Sequence, residues 1–228
     1  MKKNNSKVKV LIVGAFPKKN KNIYGGQVSS CNALINSPFS KKFNVSTLDS
    51  TITYNFLKIF PTRLLFGLKR IAYFFLIMLF NRPDVAIIFF ANGFSAIEKG
   101  IMTRISLLFQ IPVMVFPRAG GLIVDYIKKF WFSFLIKYTV GKSTLFLCQG
   151  KKFQFFAIKH LGFSRLSAPI IPNWTASKNH LNIGNTKNYK KKVFVINILF
   201  LGWLENFKGV YELLEAARIL KKKKYFFT

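Results

Sequence analysis

Two adjacent glycines, Gly25-Gly26, stand just before a segment of helical spacing that opens at Gln27. Glycines at such a place let a ligand approach the backbone, and the N–H groups of a first helical turn suit an anion. The same pair equally serves as a flexible lead into a helix. Arg118 precedes Ala119-Gly120-Gly121 at the end of an apolar run. That is the carboxyl end of a strand, where open α/β sheets bind ligands, and a guanidinium there suits an anionic substrate. A plain loop charge is the alternative. Val140-Gly141-Lys142-Ser143-Thr144 imitates a phosphate-binding P-loop, but Ile136 holds the place of its first glycine and the strand follows instead of preceding. A helix-to-strand turn is expected there. Asp49 ends a strand where a dinucleotide-binding fold places its ribose acid. The first strand runs into Gly14-Ala15-Phe16-Pro17 without G-x-G-x-x-G, so Asp49 reads as a turn aspartate. Cys31 and Cys148 share no motif with a histidine and are expected as buried, inert thiols. His160, in the last turn of a helix, suits a capping or surface role, and His180 lies in a polar stretch. Two cysteines and two histidines are too few for a zinc module or a disulfide framework, so no metal site is expected. No pair of carboxylates has the spacing of general acid–base chemistry.

The elements that would position these residues alternate between strand and helix. Val8–Val13 is a continuous apolar run closed by Gly14, as in a strand buried on both faces. A loop with Tyr24-Gly25-Gly26 leads to a helix over Gln27–Ile35. Asn44–Leu48 is a second strand, and Pro61 opens a helix that runs to Phe80. Asp84–Phe90 is a third strand. Ser95 and Glu98 have capping-box spacing and predict a helix over Ala96–Phe109. Pro112–Phe116 is a fourth strand, and Ile123, Ile127, Phe130, Phe134 and Tyr138 recur at helical spacing after it. Ser143–Cys148 is a fifth strand, Lys151–Leu161 a helix stopped by Gly162, and Ser167–Ile171 a short sixth strand. Strands separated by helix-length segments predict βαβ units and an α/β, Rossmann-like parallel sheet flanked by helices. Pro172-Asn173 marks a boundary. Residues 175–192 are polar and rich in Lys and Asn, and read as a linker without periodicity. Val195–Leu201 then predicts a strand, and Val210, Leu213, Leu214, Ala217 and Leu220 a helix. The expected division is residues 1–174, a linker over 175–192, and residues 193–228 as the opening strand and helix of an incomplete second Rossmann-like domain.

The chain carries 36 Lys+Arg against 7 Asp+Glu, a net charge of +29, yet is 51% hydrophobic. That hydrophobicity excludes a basic disordered tail. Its 228 residues suffice for one good-sized domain and part of another. The charge suits anionic lipid, nucleic acid or phosphorylated substrates. No RNP, KH or helix-turn-helix signature is present, so nucleic acid is not an expected partner. With 29 of the basic residues lysine and with Phe and Asn abundant, A- and T-rich coding is an expected contributor to the excess. The apolar stretches Ile71–Phe80, Val85–Ile97, Ile105–Pro117 and Val193–Leu204 fall short of the roughly 18 residues a bilayer span needs. The basic start and Val10–Phe16 mimic a signal peptide, but the run ends in Pro17-Lys18-Lys19 and reads as a strand. A cytoplasmic protein, peripheral at the inner face of the plasma membrane, is the expectation. Lys69 and Arg70 before ten apolar residues, and Lys128, Lys129 and Lys137 beside Phe130, Trp131 and Phe134, suit an anionic membrane surface. A helix packed in the core is the alternative for the first of these.

Three segments together resemble the N-terminal half of a GT-B glycosyltransferase of the family 4 type (glycosyl transferases group 1). They are the first strand with its delayed Gly25-Gly26, Ile170-Ile171-Pro172-Asn173-Trp174, and Ile198-Leu199-Phe200-Leu201-Gly202 through Lys208-Gly209 to Ala217. The resemblance runs to about Leu220 and implies two Rossmann-like domains facing a cleft. It implies that Gly25 and Gly26 approach the diphosphate of a nucleotide-sugar donor and that Lys208 neutralises it as it leaves. Arg118 and Asn173 are the implied substrate-binding candidates, and no cofactor is implied beyond the donor substrate itself. The chain departs from the family at Trp203, where an arginine is usual, and at Pro117-Arg118, where a histidine is frequent. The family's pair of glutamates separated by seven residues has no counterpart, since Glu205, Glu212 and Glu215 come too early.

The resulting expectation is a glycosyltransferase fragment that would transfer a sugar to a surface polysaccharide or glycolipid acceptor, and that is inactive alone. The lysine run Lys221–Lys224 suits a frameshift or a split gene, in which a separate chain carries the missing domain. The alternative is a non-catalytic basic Rossmann-like module that associates with a membrane or a partner protein.

Overall fold

Short runs of β-branched and aromatic residues, each long enough for one strand, make the sheet of this chain. The computed structural model describes residues 7–17, 25–51, 60–174, 178–187, 197–202, 204, 208–225 and 227. Its elements divide between two compact units, Met1–Thr175 and Ala176–Thr228.

In the first unit β1 (Lys9–Gly14) leads to α1 (Gly26–Ile35), the short α2 (Phe39–Lys42) and β2 (Asn44–Asp49). Next come α3 (Phe60–Phe80), β3 (Val85–Phe90), α4 (Phe94–Leu108) and β4 (Val113–Pro117). Then follow α5 (Gly121–Lys128), α6 (Phe130–Tyr138), β5 (Leu145–Phe146) and α7 (Lys151–Phe156). The five strands pair in parallel in the order β2-β1-β3-β4-β5. Val13 lies opposite both Leu48 and Ile88, and Ile88 opposite Val115, which fixes the register across the centre. The fold is α/β and Rossmann-like, with helices on both faces of the sheet. Its order reverses between β1 and β3, and in open α/β sheets the carboxyl edge at such a switch point is where ligands bind.

Alternation along the strands feeds two cores. Leu11, Val13, Ala86, Ile88, Phe90, Val113 and Val115 face one way, against Phe74 and Met78 of α3, Met102 of α4, Phe132 and Ile136 of α6 and Phe156 of α7. Val10, Ile12, Ile87, Phe89 and Phe116 face the other way, against Cys31 and Leu34 of α1, Phe39 of α2 and Trp174. The period of two that is natural to a pleated strand makes this division.

Several expectations are corrected. Ser95 and Glu98 do not form a capping box. The helix begins at Phe94 with Gly93 as its N-cap, and the Ser95 hydroxyl accepts the Ala91 N–H at 3.2 Å. Glu98 is instead buried in an ion pair with Arg70 and Lys99. A buried charge is held by the partners that neutralise it, and those outrank an exposed cap. The stripe Ile123 to Tyr138 is not one helix. The backbone at Lys129 is extended (φ −124°, ψ 102°) and separates α5 from α6. An unbroken helix would carry the buried phase of Leu122, Ile123 and Tyr126 on to Ser133 and Lys137. The break re-phases the chain so that Phe132 and Ile136 go inward. The sixth strand is reduced to a parallel bridge between Cys148 and Ile170.

Within the second unit, the linker expected over 175–192 contains a helix, α8 (Lys178–Thr186), exposed throughout. The strand expected over Val195–Leu201 is absent at residues 197–201, for a strand exists through pairing and none pairs with it among the described residues. The helix α9 (Val210–Lys222) does form, with Val210, Leu213, Ala217 and Leu220 as its half-buried stripe. Gly209 caps it in the left-handed conformation (φ 78°), and Glu215 holds Arg218 through two hydrogen bonds of 2.9 and 2.7 Å. Tyr24, residues 175–177 and 188–196, Trp203 and Glu205 lie outside the described residues.

Candidate functional site

The carboxyl edge of the sheet is assembled by a close approach of α1 to β1. A Cβ on Gly14 would lie 2.7 Å from the Cys31 sulfur and 3.2 Å from the Phe16 ring. Glycine at that position lets α1 settle on the strand end. Gly25 is the N-cap of α1, in extended backbone and with no side-chain cap on the helix among the described residues. A Cβ on Gly25 or Gly26 would meet nothing within 4 Å. Packing therefore does not require glycine at either position. What the pair provides is an approachable first turn, whose N–H groups point outward from the positive end of the helix.

Ser30, one turn further into α1 and fully buried, ties the edge together. Its hydroxyl donates to the Gly26 carbonyl at 2.8 Å and accepts Nη2 of Arg118 at 2.5 Å. Its own carbonyl accepts Nε1 of Trp174 at 3.0 Å. Arg118 follows β4, with its N–H bonded to the Phe90 carbonyl at 2.8 Å. The guanidinium lies over the rings of Phe116 and Trp174, at 5.0 and 5.4 Å from their centroids. Its Nη1 is buried with no hydrogen-bond partner among the described residues. Burial lowers the Arg118 pKa from the ordinary arginine value, while an arginine remains charged at any physiological pH. The neighbouring Cys31 thiol offers no counter-charge. Burial pushes its pKa up to about 11, against a smaller lowering by the Ala15 backbone, so it stays neutral. Arg118 is thus a half-buried cation with one guanidinium nitrogen unspent.

Beside this cluster, Asn173 is exposed and accepts a hydrogen bond from Gln149 Nε2 at 3.2 Å. Gly121 opens α5, where a Cβ would come within 2.7 Å of Asn92 Nδ2. Asn92 in turn approaches Asp125 at 3.4 Å. The Asp125 carboxyl is held below the usual aspartate range, first by the hydrogen bond from Lys129. Asp49 is the turn residue the sequence suggests. One of its oxygens accepts the N–H groups of Phe16 and Thr51 at 3.0 and 2.9 Å, and the other accepts the Thr51 hydroxyl at 2.8 Å. Asp84 is likewise committed, to the Lys9 N–H at 2.7 Å.

Among the residues singled out from sequence, the structure joins Gly26, Arg118 and the Asn173-Trp174 segment through Ser30. Lys208 belongs to the second unit, where it is exposed just before Gly209. The Gly141-Lys142-Ser143 segment is the helix-to-strand turn expected, a short 3₁₀ turn over Val140–Lys142. Cys148 is buried like Cys31, and burial raises its pKa to about 11. The His160 ring packs at 5.7 Å from Tyr126 and 5.6 Å from Phe156, with its carbonyl accepting the Tyr126 hydroxyl at 3.1 Å. Sequence reasoning missed Ser30, Trp174 as its partner, and Gln149. A serine in the middle of a helix was the only available signal, and its partners lie 88 and 144 residues away.

No protein-family model matches this chain, and a search of curated proteins finds no match either. Among the described residues, no group of histidine, cysteine, aspartate and glutamate side chains could hold a metal ion. No helix among them is long and apolar enough to cross a membrane.

Proposed function

We propose that the carboxyl edge binds a phosphate-bearing ligand, and that the chain is the acceptor-side part of a nucleotide-sugar-dependent glycosyltransferase. The supporting observation is the Arg118 guanidinium with its unspent Nη1, tied through Ser30 to the uncapped helix that Gly25 and Gly26 open. A fixed cation beside first-turn N–H groups suits a diphosphate, and it would strengthen its hold as negative charge grows on the leaving nucleotide. The resemblance at Gly25-Gly26, at Asn173 and at Lys208 selects a nucleotide-sugar among phosphate-bearing ligands. A glycan or lipid-linked acceptor would occupy the same edge.

Titration with a nucleoside diphosphate and with a nucleotide-sugar, followed by calorimetry or NMR, tests this reading. Binding is expected, with Arg118→Met weakening it by about tenfold or more, the loss of one charge-assisted hydrogen bond. Absence of binding, or binding that Arg118→Met leaves intact, rejects it. The chain alone is expected to show no sugar transfer, because the family's glutamate pair is missing from its sequence. Turnover by the purified chain would overturn that part.

A further inference from the structure

We propose that the helix layer formed by α3, α4, α5 and α6 is an interfacial surface that docks on an anionic lipid bilayer. This inference stands apart from the ligand proposed for the carboxyl edge. Isolated exposed hydrophobics are normal on a protein surface. Here they are concentrated on outward helix faces. Leu65 and Leu76 are exposed along α3, which ends in Phe80 at 76% exposure. On α6, Phe130 is 87% exposed, Trp131 59% and Phe134 67%. The break at Lys129 is what turns Phe130 and Phe134 outward. The two helices belong to one layer, since α4 packs against both. Its own outer face carries a groove of about 500 Å³ lined by Ile101, Arg104 and Leu108, among others.

Charge on this layer names the occupant. Lys69, Arg104, Lys128 and Lys137 are all exposed among the apolar side chains. The acids of the four helices are Glu98 and Asp125. Glu98 is buried between Arg70 and Lys99, and Asp125 is bonded to Lys129 at 2.8 Å. The exposed field is therefore positive, and it surrounds leucine, phenylalanine and tryptophan. A bilayer interface takes both parts at once. Anionic headgroups meet the lysines, and the acyl boundary takes the apolar ridge. Tryptophan suits the boundary between the two, and long lysine stems let the ammonium groups reach headgroups while the ridge sinks. A fluid boundary also needs no single concave partner for several separate ridges. The mode is interfacial, as no described helix could cross.

Cosedimentation of the full chain with vesicles of phosphatidylcholine alone, and of phosphatidylcholine with phosphatidylglycerol, tests the proposal. Binding is expected only with the anionic lipid, falling as salt rises. Trp131 fluorescence is expected to shift to the blue on binding, and this shift is lost in Trp131→Phe. Lys69→Gln, Lys128→Gln and Lys137→Gln are each expected to weaken binding about fivefold. Lys151→Gln, on α7, is expected to change it far less. Equal loss with Lys151→Gln would show diffuse attraction of a basic protein and overturn the assigned face. Self-association of the chain, or binding of an acidic protein through these helices without vesicle binding, would overturn it as well.

Discussion

Ser30 is a small side chain with long reach. Its hydroxyl and carbonyl connect the start of α1, the end of β4 and the segment after Ile171. Ser30→Ala removes both the acceptor of Arg118 Nη2 and the donor to Gly26. A second nitrogen of a half-buried guanidinium would then be unsatisfied, and the expected cost is about 1 to 3 kcal/mol. Urea denaturation measures it, and Ser30→Ala should also weaken nucleoside diphosphate binding if the arginine is held for that purpose. A stability loss below about 0.5 kcal/mol would show that Ser30 fills space only. At this scale the sequence was partly legible. Arg118 and Gly25-Gly26 stand out because strand ends and helix starts are local patterns. Ser30 does not, because its partners are brought to it by the sheet.

Between elements, α3 and α4 are clamped by a buried ionic trio. Glu98 and Lys99 are 2% and 3% exposed, and Arg70 meets the carboxylate through two hydrogen bonds of 2.7 and 3.0 Å. Gly67 allows the approach, for a Cβ there would lie 3.0 Å from the Phe94 ring. Glu98→Gln leaves two cations without their counter-charge, and a loss of about 3 kcal/mol or more is expected. Lys99→Met keeps the bidentate Arg70 pair and replaces a buried ammonium by an apolar side chain. It should stay within about 1 kcal/mol of the parent at neutral pH. Burial lowers the Lys99 pKa below 10.5, against the opposing pull of Glu98. The unfolded chain therefore holds this proton more tightly than the folded one. The cost of burying Lys99 is present at neutral pH and relieved as pH rises through the folded pKa. Stability of the parent relative to Lys99→Met should accordingly rise as pH climbs toward the ordinary lysine value of about 10.5. Denaturation curves at several pH values check it, and a gap constant with pH would mean that the attraction of Glu98 fully offsets the burial of the ammonium. Element positions were the most legible part of the sequence, because strand and helix periods are written in adjacent residues. The exceptions share one cause. The Ser95–Glu98 spacing gave way to a distant arginine, the α5–α6 stripe to the demand of Phe132 and Ile136 for the core, and the strand expected to end at Leu201 to the lack of a pairing neighbour among the described residues.

Across the whole molecule, the alternation of helix and strand made the parallel sheet readable, and the structure bears this out, with each strand of the sheet pairing in parallel. Its charge was countable but not its placement, since only the fold decides which lysines share a face. That placement extends to the acids. Asp49, Asp84, Glu98, Asp125 and Glu215 each already hold a hydrogen bond or an ion pair within the chain. With a net charge of +29, few acids are left to offset the surface lysines. Dissolved anions must then do much of the work that surface ion pairs do elsewhere. Salt screens over about 8 Å at physiological ionic strength, which is enough to quiet repulsion between exposed lysines. The buried Glu98 trio, by contrast, is shielded from it. Stability against heat should therefore climb as sodium chloride is added from low ionic strength, and climb further with phosphate or sulfate at equal ionic strength. A melting temperature that falls with added salt would mean that attractive pairs dominate the surface after all. In that sense the medium's small anions are a component of this fold, and its resting stability is set as much by the buffer as by the chain.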